Sequence, residues 1–239
     1  MLFFIQCFLT QSVVYADDSF FHGEGVSVFP ATGTKIRMVS EKVNLKVVKN
    51  EDVFATCDFY FNNPEKETEI TMGFPAQPDE EDGEEQNLQE PDSDHIKDFK
   101  VFVNGQPVLC KLKKSFNKEK IPGLNFDEAF VWQVKMPQNK TVHVQHTYRF
   151  RTSAYYHTVL DKIREVSYIL KTGALWDGKM DNAEISVDLG PNSKFGNLAI
   201  EPDGYVFEKG VVKWIFKNFK PTSDVRIEIH QAKELDKKI

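Results

Sequence analysis

Most of this 239-residue chain alternates apolar and polar residues with a period of two, which is the period of a β-strand. In the segment 225–230, for example, Val, Ile and Ile alternate with Arg, Glu and His. The dipeptide Asn104–Gly105, between two such segments, is typical of a tight hairpin. The alternation, interrupted by Asn, Gly, Pro and Asp, predicts about eleven short strands, at 43–48, 53–62, 67–74, 99–103, 107–113, 129–136, 141–150, 165–172, 183–189, 211–216 and 225–230.

A chain of many short strands predicts an all-β fold, which we expect to be an antiparallel β-sandwich or two stacked sandwiches. The alternation lapses at 152–163, and within this stretch 155–163 could form a short helix. We therefore predict a sandwich domain at 17–151, followed at 152–239 by a second β-rich half or a continuation of the same sandwich.

One long acidic loop interrupts the sandwich. The segment 78–95 contains nine acidic residues and no Lys or Arg, so it cannot bury enough apolar surface to order itself. Its carboxylates could instead gather a calcium ion. The weak candidates are Asp79, Glu80, Asp82 and Glu84, whose spacing does not match a twelve-residue calcium loop. A third interpretation pairs the loop with nearby lysines, in contacts worth about 0–1 kcal/mol each.

Residues 1–16 form an apolar run that ends at Ala16 and is followed at once by Asp17 and Asp18. This pattern is typical of a secretory signal, although no Lys or Arg precedes the run. We expect an exported protein, periplasmic or extracellular, with no integral membrane span after cleavage. The net charge of −6 lies mostly in the acidic loop, so nothing indicates a nucleic-acid partner.

Several short motifs resemble an exported bacterial family, the domain of unknown function DUF4424. They include Asp-Asp-Ser at 17–19, Phe-Tyr-Phe-Asn at 59–62, Phe-Pro at 74–75 and the segment 168–173 followed by Trp176 and Gly178. A looser similarity extends to the β-sandwich domain of vault and inter-alpha-trypsin proteins. The resemblance implies export and a β-sandwich, and it implies no catalytic residue and no cofactor.

The search for catalytic or metal-binding motifs is mostly negative. His143 and His146 are close in sequence, but residues three apart on a strand point to opposite faces and cannot share a metal. His146 shares its phase with apolar neighbours, which favours an interior histidine whose hydrogen bonds are satisfied. Cys57 and Cys110 could form a disulfide in an oxidising compartment, or they could be two buried thiols.

The three tryptophans have two interpretations, core residues or a platform for stacking sugars. Trp132 and Trp214 lie in apolar stripes, which favours the core. Trp176 and Asp177 lie in a predicted turn and are the better candidates for an exposed contact, although we favour a capping role for Trp176.

These patterns predict an exported, non-enzymatic β-sandwich protein that acts through protein–protein contacts with envelope proteins. The alternative is a carbohydrate-binding module of the envelope. An envelope hydrolase is the least favoured function, because no constellation of residues supports it.

Overall fold

A computed structural model describes residues 24–26, 29–30, 34–48, 52–76, 96–113, 128–158, 161–190 and 197–232. The first sixteen residues and the acidic loop lie outside this described part of the chain. The strands are β1 (Glu24–Val26), β2 (Phe29–Pro30), β3 (Arg37–Val47), β4 (Asp52–Asn62), β5 (Thr68–Ala76), β6 (Lys97–Val103), β7 (Gln106–Val108), β8 (Lys111–Lys113), β9 (Glu128–Met136), β10 (Thr141–Arg151), β11 (Ser153–Thr158), β12 (Asp161–Ile169), β13 (Met180–Asp188), β14 (Leu198–Glu201), β15 (Val206–Glu208), β16 (Val211–Phe219) and β17 (Val225–Ala232). A short 3-10 helix, Lys171–Leu175, follows β12.

The strands form three sheets, which confirms the all-β prediction. The eight-stranded sheet has the order β15-β16-β13-β3-β4-β10-β6-β7, and the four-stranded sheet has the order β2-β5-β9-β8. The five-stranded sheet has the order β1-β12-β17-β14, with β11 also paired to β12. Pairing is antiparallel except for β1 with β12 and β3 with β13.

Two sequence predictions differ from the structure. The predicted helix at 155–163 is wrong, because β11 and β12 form an antiparallel hairpin there. Tyr and Thr favour strands in this stretch, and β12 also pairs along its length with β17, so tertiary pairing decides the conformation. The predicted strand at 107–113 is two strands, β7 and β8, which belong to different sheets. The Asn104–Gly105 hairpin is confirmed, with φ of 50° and 78°.

The two smaller sheets cover the same face of the eight-stranded sheet, which we call the inner face. Trp132 of β9 and Phe74 of β5 contact His146 of β10, with ring centroids 4.9 and 5.6 Å apart. From the five-stranded sheet, Tyr168 donates a hydrogen bond of 2.7 Å to Glu41 of β3. One cluster of buried side chains therefore draws on all three sheets.

The pairing of β13 with β3 joins distant parts of the chain in one sheet, in register from Asn182 with Ser40 to Asp188 with Lys46. The predicted division of the chain near residue 152 stays a prediction. Within the described ranges, no helix has the length and apolarity needed to span a bilayer.

Candidate functional site

The face of the eight-stranded sheet opposite the core, which we call the outer face, is where aromatic and polar side chains meet. Alternation on β4 buries Cys57 and Phe59 and turns Phe54, Asp58 and Tyr60 outward. No sheet of the described residues packs on this face, since both smaller sheets cover the inner one. Phe54 and Tyr60 remain 47% and 36% exposed, although large aromatic rings are the side chains that packing would favour burying.

A cluster of four residues, which we call the Tyr60 cluster, lies where β4 pairs with β10: Asp58, Tyr60, His143 and Gln145. The rings of Tyr60 and His143 are stacked, with centroids 4.6 Å apart and planes 13° apart. Asp58 Oδ1 lies 2.8 Å from His143 Nε2 and accepts a 2.8 Å hydrogen bond from Gln145 Nε2. The orientation of the His143 ring is therefore fixed by a hydrogen bond within the sheet, and the Tyr60 ring stacks on it.

Polar contacts also fix the end of β10 beside this cluster. Asn104 Oδ1 accepts a hydrogen bond from His143 N, and Asn104 N donates to His143 O. On its other side Tyr60 pairs with Ser40 of β3, whose side chain is small. Tyr60 therefore has a stacked ring on one side and a residue with a small side chain on the other.

Two ion pairs lie elsewhere on the outer face. The Arg149 guanidinium lies 5.8 Å from the centre of the Phe54 ring, and Arg149 Nε donates a hydrogen bond of 2.5 Å to Asp98. Lys213 Nζ lies 2.8 Å from Glu184 Oε1, and its hydrogen bond lowers the pKa of that carboxyl. These contacts fix the positions of these charged groups in the unbound protein.

Four buried groups between the sheets could in principle carry chemistry: Glu41, Cys57 and Tyr148 on the inner face, and Tyr168 on β12 of the five-stranded sheet. All are 2% exposed or less. Burial raises the pKa of the Cys57 thiol, and burial together with the charge of Glu41 raises the pKa of Tyr168 well above its usual value. Because these groups are buried between the sheets, we interpret them as structural.

His146 lies on the inner face, as its phase predicts, but the expectation that its hydrogen bonds are satisfied is wrong for the described residues. Four aromatic rings surround it at centroid distances of 4.9 to 5.6 Å: Phe59, Phe74, Phe99 and Trp132. Neither ring nitrogen has a hydrogen-bond partner among the described residues. Burial lowers the pKa of His146 to about 3, so the ring is neutral at physiological pH.

The tryptophans predicted for the core are buried. Trp132 and Trp214 lie within the buried cluster, and Trp214 Nε1 donates to the carbonyl of Pro202. Trp176, the predicted contact or capping residue, is also buried, with its ring 4.5 Å from that of Phe61. Asp177 beside it is exposed, and its amide donates to Ile36 O. The burial of Trp176 favours the capping role.

The cysteine and calcium predictions have different outcomes. Cys57 and Cys110 are free thiols, the first buried on β4 and the second half-buried between β7 and β8. The calcium candidates Asp79, Glu80, Asp82 and Glu84 lie outside the described residues. Within the described part, no group of three or more His, Cys, Asp or Glu side chains is arranged to hold a metal ion.

An open groove of about 1060 Å³ lies beside the turn that follows β4, lined by residues 34–36, 63 and 65–71. Asn63 is buried there, but its amide is already used to hold the turn. Its Nδ2 donates to the carbonyls of Lys66 and Met136, and its Oδ1 accepts from Glu65 N. We therefore prefer the outer face as the candidate site.

Sequence reasoning missed Phe54 and Tyr60. A signal was present, because the buried phase of β4 runs through odd-numbered positions and these two aromatic residues occupy even ones. An aromatic residue at a strand position where the pattern places polar residues indicates either an exposed contact surface or a second layer of structure packed on that face of the sheet. The sequence alone does not decide between them.

Comparison with known proteins supports the resemblance to DUF4424. Residues 16–121, which include β1 to β8, match the model of that family, a domain of unknown function. No curated protein matches the chain. The looser similarity to vault and inter-alpha-trypsin proteins stays a prediction.

A solved structure shares the fold, and others are more distantly similar. A Legionella pneumophila protein, provisionally described as a nutrient binding protein, has a TM-score of 0.67 at 23% identity, covering 86% of this chain and 70% of that one. Leukotriene A4 hydrolase from Saccharomyces cerevisiae has a TM-score of 0.43 at 8% identity, covering 84% of this chain and 30% of that one. An M1 zinc metallopeptidase from Deinococcus radiodurans has a TM-score of 0.38 at 6% identity, covering 83% and 44%. The last two similarities are too low to carry an argument about function.

Proposed function

We propose that this chain is an exported, non-enzymatic binding protein that acts through protein–protein contacts at the cell envelope, with the outer face as its contact surface. One observation carries the proposal: two large aromatic side chains, Phe54 and Tyr60, are exposed on the outer face, and Phe54 lies beside Arg149, which is paired with Asp98. The apolar run that ends at Ala16 supports export.

The shape and composition of the outer face suit a protein partner. The face spans six strands, from β16 to β6, and it is a broad sheet surface, whereas small-molecule sites are concave. Aromatic residues and arginine contribute much of the binding energy in protein interfaces. Phe54, Tyr60 and Arg149 supply these residue types, and their contacts within the sheet reduce the entropy that binding would cost.

The Legionella protein of similar fold supports a binding role through its provisional description. A hydrolase built on Asp58 and His143 is less favoured, although this pair resembles the acid and base of a catalytic triad. The second partner of Asp58 is the amide of Gln145, and among the described residues no Ser, Thr or Cys is hydrogen-bonded to the His143 ring. The pair therefore lacks the nucleophile that a triad requires.

Co-purification from envelope extract tests the proposal. We expect the wild-type chain to retain one envelope protein in stoichiometric amount, and the double variant Phe54→Ser/Tyr60→Ser to lose it. The matched control is Leu109→Ser, which removes an apolar side chain that is 93% exposed at the far end of the same sheet. Equal recovery with the double variant and the wild type would refute the outer face as the contact surface.

Carbohydrate binding is the second candidate, favoured by the Tyr60 cluster itself. Sugar rings stack on aromatic side chains, and the carboxylate of Asp58 and the amide of Gln145 offer hydrogen bonds beside the Tyr60 ring. Titration with envelope polysaccharide separates the two candidates. Saturable binding that Tyr60→Ser abolishes, without co-purification of any protein, would favour carbohydrate.

A further inference from the structure

The exposed apolar side chains of the described residues are concentrated at one end of the eight-stranded sheet. Seven large apolar residues are exposed in this part of the chain, and four of them lie on or beside the hairpin of β15 and β16. The four are Tyr205, Val206, Phe207 and Ile215, with exposed fractions of 37, 64, 44 and 54%. We call residues 205–220 the terminal hairpin. Exposed apolar side chains that cluster in this way commonly mark a surface that meets a partner.

Two of these side chains lie on the outer side of the sheet. Val206 pairs with Lys213, whose Nζ lies 2.8 Å from Oε1 of Glu184 on the outer face. Ile215 follows Lys213 by two residues on β16 and therefore shares its side.

The other two side chains lie on the inner side. Phe207 pairs with Val212, which is buried in the core. The ring of Tyr205 lies 6.0 Å from that of Trp214, another core residue. Because Tyr205 and Phe207 stay exposed, the smaller sheets do not bury this end of the inner face. The terminal hairpin thus presents apolar side chains on both sides of a sheet edge and not on one flat face.

Lysines accompany these apolar side chains. Residues 205–220 contain four lysines and one acidic residue: Lys209, Lys213, Lys217, Lys220 and Glu208. Lys209 is paired with Glu208 at 3.4 Å, and Lys213 is paired with Glu184. Lys217 and Lys220 are exposed and form no ion pair with another described residue. The terminal hairpin therefore keeps a positive charge in a chain whose net charge is −6.

This combination of features fits a lipid surface better than a protein partner. Lysine is depleted in protein–protein interfaces, whereas anionic lipid headgroups attract it. The fluid headgroup layer can surround side chains on both sides of an edge, which a flat protein surface cannot do. Tyrosine is enriched at membrane interfaces, and lysine side chains can keep their ammonium groups at the headgroups while apolar neighbours insert.

We propose that the terminal hairpin docks on the surface of a membrane that contains anionic lipids. Val206, Phe207 and Ile215 would insert among the headgroups, and Lys217 and Lys220 would lie beside the phosphates. Insertion would be shallow, because β15 is the last strand of its sheet and its free backbone groups must stay in the hydrated headgroup layer.

This docking goes beyond the proposed function and does not depend on it. The Tyr60 cluster is centred on β4, three strands from β16, so about 14 Å separate it from the terminal hairpin. A sheet held by its edge would stand upright on the membrane. The outer face around Tyr60 would then remain open to an envelope protein.

An environment-sensitive fluorophore tests which residues meet the membrane. It is attached to Val206→Cys or, as the matched control, to Leu109→Cys at the far end of the sheet, each in the full chain with Cys110→Ser. We expect phosphatidylglycerol vesicles to shift the emission of the Val206 label to shorter wavelength and to leave the Leu109 label unchanged. No shift at Val206, or an equal shift at both positions, would overturn the proposal. If no shift occurs and Val206→Ser/Ile215→Ser loses a co-purified envelope protein, the terminal hairpin is a protein interface.

Charge variants test the role of anionic lipid. Lys217→Glu/Lys220→Glu changes two exposed side chains outside the apolar cluster, and we expect it to lower the affinity of the labelled chain for phosphatidylglycerol vesicles at least about tenfold. Equal affinity for phosphatidylcholine vesicles, or no loss in the lysine variant, would overturn the assignment to anionic lipid. Phe54→Ser/Tyr60→Ser, which the proposed function expects to lose the envelope partner, should bind vesicles like the wild type. The two proposals can therefore fail separately.

Discussion

His143 and His146 lie three residues apart on β10 and occupy opposite environments. His143 is on the outer face, where its ring stacks on Tyr60 and contacts the carboxylate of Asp58. His146 is on the inner face, fully buried among aromatic rings, with no hydrogen-bond partner among the described residues for either ring nitrogen. One strand thus holds one histidine with polar partners and one without.

The difference between the two histidines reflects the different roles of the two faces of the eight-stranded sheet. The inner face is mostly apolar and is covered by the two smaller sheets, and a polar group there lowers stability unless it is hydrogen-bonded, with a larger loss if it is charged. The outer face carries polar groups that bond to one another beside exposed aromatic rings. We infer that the inner face supplies most of the stability and that the outer face is available for contacts.

The largest test of this division compares two phenylalanines of β4. Phe59→Ala removes a fully buried ring and should lower the free energy of unfolding by about 3–5 kcal/mol. Phe54→Ala, on the outer face of the same strand, should lower it by less than about 1 kcal/mol. Urea unfolding measures both, and similar losses would show that the outer face is packed against another part of the chain.

A Trp176 variant tests whether this side chain belongs to the buried core. Its ring is buried against Phe61, so Trp176→Ala should lower the free energy of unfolding by about 3–5 kcal/mol. The control is Asp177→Ala at the exposed neighbouring position, which should change little. If the Trp176→Ala variant unfolds at the wild-type urea midpoint, Trp176 is a contact residue and not a cap.

His146 makes stability depend on pH in a predictable direction. Its pKa is about 3 in the folded protein and 6.5 when unfolded, so the unfolded chain binds the proton first. The part of the free energy of unfolding that depends on His146 being neutral is fully present above pH 6.5, and it is lost as the pH falls from 6.5 toward 3. Between about pH 7.5 and 4.5, wild type should lose about 2–3 kcal/mol more than His146→Phe.

Urea unfolding at the two pH values measures this difference. Comparing the variant with wild type removes the contribution of the carboxylates, which titrate in both proteins. Cys57, which pairs with His146 across β4 and β10, has a raised pKa and stays neutral throughout this range. Parallel losses in the two proteins would mean that His146 is protonated in the folded state.

A Tyr60 variant should show a small effect on stability and a large effect on binding. Tyr60→Ala removes a half-exposed ring and its stacking on His143, so the free energy of unfolding should fall by about 0.5–1.5 kcal/mol. Binding to the envelope partner should fall at least tenfold, as for an interface hot spot. Unchanged affinity by calorimetry, with the same small stability loss, would make Tyr60 an ordinary surface residue.

The sequence predicted the positions of the strands better than it predicted which strands pair with each other. Alternation located β4, β10 and β17 because each has one buried face, and it assigned His146 to that face. It missed β14 and β15, which are short and mostly exposed, and it merged β7 with β8 because their apolar phase runs through Cys110. The parallel pairing of β13 with β3 joins segments far apart in sequence, which local patterns do not encode.

The candidate site was less predictable for a related reason. Stacking of Tyr60 on His143 depends on the register of β4 with β10, which places these two residues opposite each other. The motif search addressed catalytic and metal-binding patterns, whereas a binding face consists of ordinary residues brought together by pairing. Aromatic residues on the polar phase were the available signal.

Photo-cross-linking in the cell envelope tests the division of faces most directly. A photoreactive phenylalanine analogue replaces Tyr60 on the outer face or, in a second variant, the exposed Lys135 of the four-stranded sheet. We predict one discrete cross-linked protein from the Tyr60 position and none from the Lys135 position. Cross-linking from Lys135 alone would contradict the assignment of the outer face as the binding surface.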